Sequence, residues 1–227
     1  MTEINYQKNI LALKSQIKRL AASSNQPVPN LIAVSKQQDS QAIKAVIETG
    51  QRFLGENYLQ EVKLKWPALR AQYPDLKLHF IGHLQSNKAK EAIALCDVIE
   101  TLDREKLAKK LASEEALQAL SRQYFIQVNI GEEEQKSGIN PALVKAFSQY
   151  CQHDLKLKIL GLMAIPPAGE LAAPYFAKLK LLAADCQLAN LSMGMSLDYP
   201  EAIMVGSNYL RIGTAIFGPR HKAHANL

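Results

Sequence analysis

The residue with the clearest chemical potential is a lysine at the end of a short apolar run. Residues 31–36 read LIAVSK, so four apolar residues and a serine precede the ammonium group of Lys36. A run of this length and composition predicts a buried strand. Partial desolvation at the end of such a strand favours the neutral amine, which can attack a carbonyl and form an imine. An ordinary surface lysine at a strand exit is the alternative that these residues leave open.

A second set of residues suits an anion. Ser196 lies just after the apolar run LSMGM, and Gly213 and Thr214 follow the apolar run NYLRI. Hydroxyl groups bind phosphate oxygens, a glycine lets the backbone approach them closely, and a short helix starting at Thr214 would direct its N–H groups at the same anion. Each loop alone is also typical of ordinary turns. Two such loops in succession favour a phosphate site.

Arg211 lies in the middle of the apolar run NYLRIG. A guanidinium group inside a protein needs an acceptor or an aromatic face. The spacing alone favours a structural salt bridge. If an aromatic ring extends from Lys36 to the phosphate loops, Arg211 would instead lie beside that ring.

The elements that must position these residues alternate regularly. Several apolar runs lack polar alternation, which is typical of parallel strands covered on both faces. Helical spacing separates the runs, for example at residues 39–49, where Asp39 is the predicted N-cap, and at 57–72 and 102–120. A further helix is predicted to open at Asn140. The eight predicted strands are LIAVS, RFLGE, LHFIG, DVIE, YFIQVNI, LKILGLMAI, LSMGMS and NYLRIGT.

This alternation predicts an α/β fold, a single-domain (β/α)₈ TIM barrel with an extra N-terminal helix. An open doubly wound sheet is the alternative, but it would need a glycine-rich turn after the first strand, and SKQQDS has none. The predicted single domain covers residues 1–227, with the helix at about 4–24, the barrel at about 30–218 and a short C-terminal tail. In such barrels the chemistry lies at the C-terminal ends of the strands, and phosphate binds after strands seven and eight.

The composition narrows the class of protein. The chain of 227 residues is 48% hydrophobic and has no apolar run of the roughly eighteen residues that cross a bilayer. Its first residues lack the pattern of an export signal, and three widely spaced cysteines favour a reducing compartment, so we expect a cytoplasmic protein without a metal. The net charge of +6 comes from dispersed residues, which argues against nucleic-acid binding.

From about residue 10 to 218 the chain resembles the YggS/PROSC family of proteins that bind pyridoxal 5′-phosphate (PLP), whose barrel is similar to the N-terminal domain of alanine racemase. HFIGHLQSNK together with RIGTAIFG is the most specific part of the resemblance, and the tail PRHKAHANL carries no match. The other matching segments are AVSK, FLGENYLQE, VNIGEEEQKSG, LGLMAI, SMGMSLDY and VGSNYLRIGTAIFG.

The resemblance implies a fold-type III PLP-binding barrel with Lys36 as the Schiff-base lysine and Arg211 facing the pyridine nitrogen. Asn57 would lie beside the cofactor, and Ser196, Gly213 and Thr214 would hold its phosphate. Four further residues belong to the motif without an assigned contact, although Asn87 is placed to cap the helix that follows. These four are His83, Gln85, Asn87 and Lys88.

The function that the resemblance implies is non-catalytic PLP binding in vitamin B6 homeostasis, with indirect effects on amino-acid and keto-acid balance. An arginine cannot accept a proton from the pyridine nitrogen, so the ring is a poor electron sink. Racemisation also needs a proton-transfer group on each face, and nothing fixes Tyr58 or Tyr199 opposite Lys36. The chain ends shortly after the eighth strand, so we expect no second domain and a monomer.

Three alternatives follow for the use of the bound cofactor. A reversible imine lets another amine carry PLP away, so the expected acceptors are free amino acids or PLP-dependent apo-enzymes. The alternative enzyme would be a PLP-dependent, racemase-like enzyme acting on amino acids. A third possibility is an interaction protein whose partner senses PLP loading.

Overall fold

Eight parallel strands close into a barrel in sequence order, with β8 pairing back onto β1. The structure, a computed structural model, describes residues 4–218. All eight predicted apolar runs form strands, so the predicted fold class is confirmed. The strands are β1 Asn30–Val34, β2 Phe53–Glu56, β3 Lys77–Phe80, β4 Val98–Leu102, β5 Gln123–Val128, β6 Lys158–Ala164, β7 Asn190–Ser192 and β8 Tyr209–Ile212.

Helices surround the barrel and follow the strands. Predicted segment 39–49 contains α2, and Asp39 caps it by accepting a hydrogen bond from the Ala42 N–H at 2.8 Å. The α-helices are α1 Tyr6–Ser23, α2 Ser40–Glu48, α3 Leu59–Gln72, α4 Ala89–Leu95, α5 Glu105–Gln118, α6 Val144–Gln149, α7 Ala172–Asp185, α8 Tyr199–Val205 and α9 Thr214–Phe217. Shorter 3₁₀ segments are Ser86–Lys88 and Pro141–Leu143, and a π-helical segment is Tyr150–Asp154.

Two local predictions need correction or refinement. Asn87 does not cap α4, because it lies inside the 3₁₀ turn that precedes the helix and no side chain caps α4. Asn140 does cap its helix by accepting from the Ala142 N–H at 2.9 Å, but that helix changes from 3₁₀ to α to π geometry along its length. Pro141, in the first turn, supplies no backbone N–H for a helical hydrogen bond.

Helix α1 lies outside the eight-fold repeat. One face carries the buried Ile10, Leu13 and Ile17, as the sequence spacing predicts, and the helix contacts α2, α8 and α9. The Tyr6 ring packs against Phe217 at 5.9 Å between ring centroids. The chain before β1 is thereby tied to the chain after β8. Within residues 4–218, the structure contains no helix of the length and apolarity needed to span a membrane.

The interior of the barrel contains aromatic side chains from strands that are not neighbours. The Tyr209 ring lies 5.4 Å from Phe125, 5.7 Å from His79 and 6.4 Å from Phe53, measured between centroids. Contacts between non-adjacent strands of a closed barrel must cross its interior, so these rings fill it. Because the interior is filled, a ligand would bind at the mouth of the barrel rather than inside it.

Candidate functional site

A cavity of about 740 Å³ lies at the C-terminal ends of the strands. Its walls come from the segments that follow β1, β2, β3, β6, β7 and β8, together with Lys136 from the loop after β5. This volume is within the range of small-ligand sites. All six residues predicted for the site line it, namely Lys36, Asn57, Ser196, Arg211, Gly213 and Thr214.

Lys36 reaches the cavity because β1 ends two residues before it. Val34 is the last residue of the strand, and the backbone N–H of Ser35 continues the pairing by donating to the Gly55 carbonyl at 2.9 Å. Lys36 is half-buried and lines the cavity. Parallel strands in a barrel end at one rim, so the first residues after β1, β2 and β8 meet there.

Asn57 brings an unsatisfied polar atom to the same cavity. Its Oδ1 atom is buried and accepts no hydrogen bond from the part of the chain that the structure describes. Buried polar atoms are nearly always paired, so the unpaired Oδ1 atom of this cavity-lining residue could accept a hydrogen bond from a ligand. The backbone of Gly82 packs closely against Asn57. A Cβ atom at position 82 would lie 2.0 Å from the Asn57 carbonyl oxygen.

Gly82→Ala is therefore expected to lower the free energy of unfolding by about 1–3 kcal/mol, because the added methyl group displaces the backbone of Asn57. Chemical denaturation compared with the parent protein measures this change. Gly213→Ala is the matched control, since its nearest neighbour would be the Val34 carbonyl oxygen at 3.2 Å, and a smaller loss is expected. Equal losses in the two variants would contradict the close contact between Gly82 and Asn57.

The two loops predicted to bind phosphate lie side by side. Gly194 adopts a left-handed φ of 95° after β7, and its carbonyl accepts a hydrogen bond from the Arg211 N–H at 2.9 Å. The short helix predicted at Thr214 is present as α9, and the Ile216 and Phe217 N–H groups both donate to the Gly213 carbonyl at 2.9 Å. The bond between the Arg211 backbone N–H and Gly194 joins the two segments beside the cavity, and the bonds to the Gly213 carbonyl hold the start of α9.

Arg211 lies at the floor of the cavity and belongs to a buried polar network. Its guanidinium donates to the Ser192 hydroxyl at 2.7 Å and to the Ala164 carbonyl at 3.0 Å, and it lies 3.8 Å from Glu100. Glu100 also accepts from Ser192 at 2.6 Å and contacts the His79 ring nitrogen at 2.6 Å. Arg211 therefore forms the structural salt bridge that its spacing favours, and it also lines the cavity.

The charges of this network stabilise each other. Burial would raise the pKa of the Glu100 carboxyl, but the His79 hydrogen bond and the Arg211 charge outweigh it and lower that pKa. Burial lowers the pKa of the Arg211 guanidinium, and the Glu100 carboxylate counteracts this effect. An arginine starts from so high a pKa that the pair is ionised near neutral pH.

A second buried carboxyl lies next to Asn57 in the sequence. Glu56 is fully buried, and its Oε1 atom accepts a hydrogen bond from the Ser35 hydroxyl at 2.8 Å. Burial raises the pKa of Glu56 to about 7, although the nearby Lys65 and the Ser35 hydrogen bond partly offset the rise. Both Ser35 and Glu56 directly precede a residue that lines the cavity.

Sequence reasoning missed several residues at or beneath the site. Lys136 lies within the quoted motif VNIGEEEQKSG but received no role; its ammonium contacts Glu133 and donates to the Pro166 carbonyl at 3.3 Å. His79 and Glu100 were signalled by polar residues within the apolar runs LHFIG and DVIE. Carboxylates also line the cavity, namely those of Glu170, Asp198 and Glu201.

Other motif residues and tyrosines lie elsewhere. His83, Gln85 and Asn87 line a separate open groove along α5 together with basic side chains, and Lys88 contacts Glu91 at 3.2 Å. Of the described residues that line the cavity at the strand ends, none is tyrosine, histidine or cysteine. Tyr58 is half exposed and Tyr199 is buried in α8. No group of three metal-ligating side chains comes together within residues 4–218.

Comparison with known proteins identifies the family. The model of the alanine racemase N-terminal domain matches residues 9–221. The pyridoxal phosphate homeostasis protein of Haemophilus influenzae is 37% identical over 230 residues, which cover 96% of this chain and 97% of the relative. This chain belongs to the YggS/PROSC family of pyridoxal phosphate homeostasis proteins. The family member from Vibrio cholerae is 40% identical over 200 residues, covering 84% of this chain and 85% of that protein.

Solved structures agree with the family assignment. PipY of Synechococcus elongatus with PLP bound is 36% identical, with a TM-score of 0.78 and coverage of 89% of this chain and 99% of PipY. PipY without PLP gives a TM-score of 0.83 at 33% identity, covering 93% and 99%. Alanine racemase from Corynebacterium glutamicum shares the fold at 14% identity and a TM-score of 0.69, and this chain covers 63% of its length.

Proposed function

We propose that this chain binds PLP as a reversible Schiff base on Lys36 and takes part in intracellular vitamin B6 homeostasis without catalysing a reaction. The observation that carries the proposal is the meeting of all six expected residues at one cavity of about 740 Å³. The orphaned Oδ1 atom of Asn57 supports it, because this atom needs a hydrogen-bond donor. The family relationship to PipY, whose structure holds PLP, supports the same ligand.

The residues around the cavity suit the parts of the cofactor. Lys36 supplies the amine, and bound PLP supplies an aldehyde for a Schiff base and a ring able to accept electrons. Arg211 would face the ring nitrogen, and Asn57 would lie beside the ring. The hydroxyl and backbone groups proposed to hold the phosphate belong to Ser196, Gly213 and Thr214.

The environment of Arg211 supports a non-catalytic role. Its guanidinium is held by Ser192 and Glu100 and stays charged, so it opposes protonation of a ring nitrogen placed next to it. A ring kept unprotonated withdraws electrons poorly. Racemisation also needs a proton-transfer group on each face of the substrate carbon, and neither Tyr58 nor Tyr199 is among the described residues that line the cavity.

The proposal extends to the cellular role of the protein. We propose a cytoplasmic monomer in which residues 1–227 act as one PLP-binding barrel domain. PLP would pass to free amino acids or to PLP-dependent apo-enzymes, with indirect effects on amino-acid and keto-acid balance. We propose that this role involves binding to neither nucleic acid nor a membrane. The predicted tail after Gly218 lies outside the described residues.

Transfer of PLP to an apo-enzyme tests this role. The PLP-loaded protein, freed of unbound PLP, is mixed with a PLP-dependent apo-enzyme, and recovery of that enzyme's activity is followed. We expect recovery faster than the spontaneous release of PLP, measured separately with an aldehyde-trapping amine. Recovery no faster than this release would contradict direct hand-over, and absence of bound PLP after loading would contradict the function itself.

The alternative function is a racemase-like enzyme, which the shared barrel fold and the second cavity amine, Lys136, favour. Incubation of PLP-loaded protein with single L-amino acids in D₂O separates the two functions. We expect exchange of the α-hydrogen no faster than with free PLP. Rapid exchange that depends on Lys36 would establish the enzyme instead.

A further inference from the structure

The turn that carries Lys36 is bonded on both sides to the segment formed by β2 and α3. Before the lysine, the Ser35 hydroxyl donates to Glu56 Oε1 at 2.8 Å. After the lysine, the Gln37 backbone N–H donates to Glu61 Oε2, also at 2.8 Å. The two neighbours of Lys36 are thus each hydrogen-bonded to an acidic side chain, Ser35 to Glu56 and Gln37 to Glu61.

Lys65 connects the two carboxylates. It lies on α3 one turn after Glu61, forms an ion pair with it, and places its Nζ atom 3.8 Å from Glu56 Oε1. We call Glu56, Lys65 and Glu61 the Lys65 bridge. The Lys65 side chain is only 14% exposed, so water and salt screen these charges less than they screen a surface pair.

The backbone of the turn explains why it needs such support. Gln37 adopts a left-handed φ of 60°, a conformation that costs a residue with a side chain about 1 kcal/mol or more. The Gln38 N–H closes the turn by donating to the Ser35 carbonyl at 3.1 Å. A strained turn persists only when its surroundings hold it, and here the contacts with Glu56 and Glu61 lie on either side of the reactive lysine.

We propose that Lys65 is a positioning residue for Lys36: by holding Glu56 and Glu61 together, it fixes the turn that directs the Lys36 amine into the cavity. This inference rests on the proposed function, because it concerns the amine that would bind PLP. Lys65 itself does not line the cavity in the described part of the protein and therefore acts through its neighbours. A preorganised amine binds its ligand without first losing conformational freedom.

Spectrophotometric titration of apo-protein with PLP tests the inference in Lys65→Met, in Glu61→Ala and in the double variant. We expect each single substitution to raise the Kd for PLP about tenfold, the loss associated with one charge-assisted hydrogen bond. The double variant should resemble either single variant, because both remove the same bridge. Lys65→Arg retains a cation between the carboxylates and should keep Kd within about twofold of the parent.

The matched control is the pair of Glu105 and Lys109, which has the same four-residue spacing on α5 but is exposed. Lys109→Met and Glu105→Ala should leave the Kd for PLP unchanged. If the loss of a helical ion pair alone raised the Kd, substitutions in the Glu61–Lys65 and Glu105–Lys109 pairs would raise it equally. Thermal unfolding of every variant shows which samples are folded, and Glu61→Ala carries the test should Lys65→Met fail to fold.

The outcomes separate this inference from the function on which it rests. If the parent protein binds no PLP, or borohydride reduction leaves Lys36 unmodified, the proposed function is wrong. If the parent binds PLP through Lys36 and the folded variants of Lys65 and Glu61 bind it equally well, only the positioning role is wrong. Additive effects in the double variant would show that Lys65 and Glu61 act separately and would overturn the bridge.

Discussion

Lys36→Ala is expected to abolish the covalent attachment of PLP. Mass spectrometry after borohydride reduction of PLP-loaded protein should show the PLP adduct at residue 36 in the parent and none there in the variant. The absorption band of the imine should also disappear. Because the covalent link is lost while the proposed contacts to the phosphate would remain, the Kd for PLP should rise by about two orders of magnitude or more, a change of at least about 3 kcal/mol.

Lys136→Ala is the matched control for this prediction. Among the described residues, Lys136 is the second lysine that lines the cavity, and its ammonium contacts Glu133 and the Pro166 carbonyl. The variant should keep the adduct at Lys36. If Lys36 is unmodified in the parent protein, or if the adduct is found on Lys136 instead, the assignment of Lys36 as the Schiff-base lysine is wrong.

Glu100→Ala should cause the second large effect, a loss of about 3–5 kcal/mol in the free energy of unfolding. The substitution leaves the buried Arg211 charge without its carboxylate and deprives Ser192 and His79 of their shared acceptor. An uncompensated charge in the interior is far more costly than a lost surface pair. Urea or guanidinium unfolding of the parent and variant at neutral pH measures the difference.

This difference should depend on pH in a defined direction. The pKa of Glu100 is lower in the folded protein than its ordinary value, so its contribution to stability is present above the unfolded-state pKa of about 4.3. That contribution is lost as the pH falls through the folded-state pKa. The gap between parent and variant should therefore narrow on acidification.

Glu105→Ala is the control for Glu100→Ala. Glu105 also pairs with a cation, but its side chain is 67% exposed, so the loss should stay below about 0.5 kcal/mol. Similar losses at positions 100 and 105 would contradict the view that the buried network stabilises the barrel. A separate measurement, PLP binding to folded Glu100→Ala protein, shows whether Arg211 keeps its position without the Glu100 carboxylate.

Most strands and helices could be predicted from the sequence, because a parallel barrel requires recognisable local patterns of apolar residues. A strand covered on both faces is largely apolar, and each of the eight predicted apolar runs forms a strand. Helix caps were predicted correctly where the side chain acts locally, as at Asp39. Asn87 failed as a cap because the chain enters a 3₁₀ turn before α4 begins.

Some residues of the site could likewise be predicted from the sequence, and others could not. Position at a strand exit was enough to select Lys36, Gly213 and Thr214 as candidates, since the barrel rule places strand ends at one rim. The partner of Arg211 could not be found from the sequence. Glu100 is more than one hundred residues away, and only barrel closure brings β4 and β8 across the interior from each other.

The sequence by itself determined the order of elements, the apolar faces and the residue types available at the barrel mouth, because these follow from periodicity and composition over short stretches. Only the tertiary structure decided which charges meet. It joined Glu100 to Arg211 and Glu56 to Lys65, and left Asn57 Oδ1 without a donor among the described residues. The physical reason is that hydrophobic patterning acts along the chain, whereas the energy of a buried charge depends on neighbours that chain closure alone brings within a few ångströms.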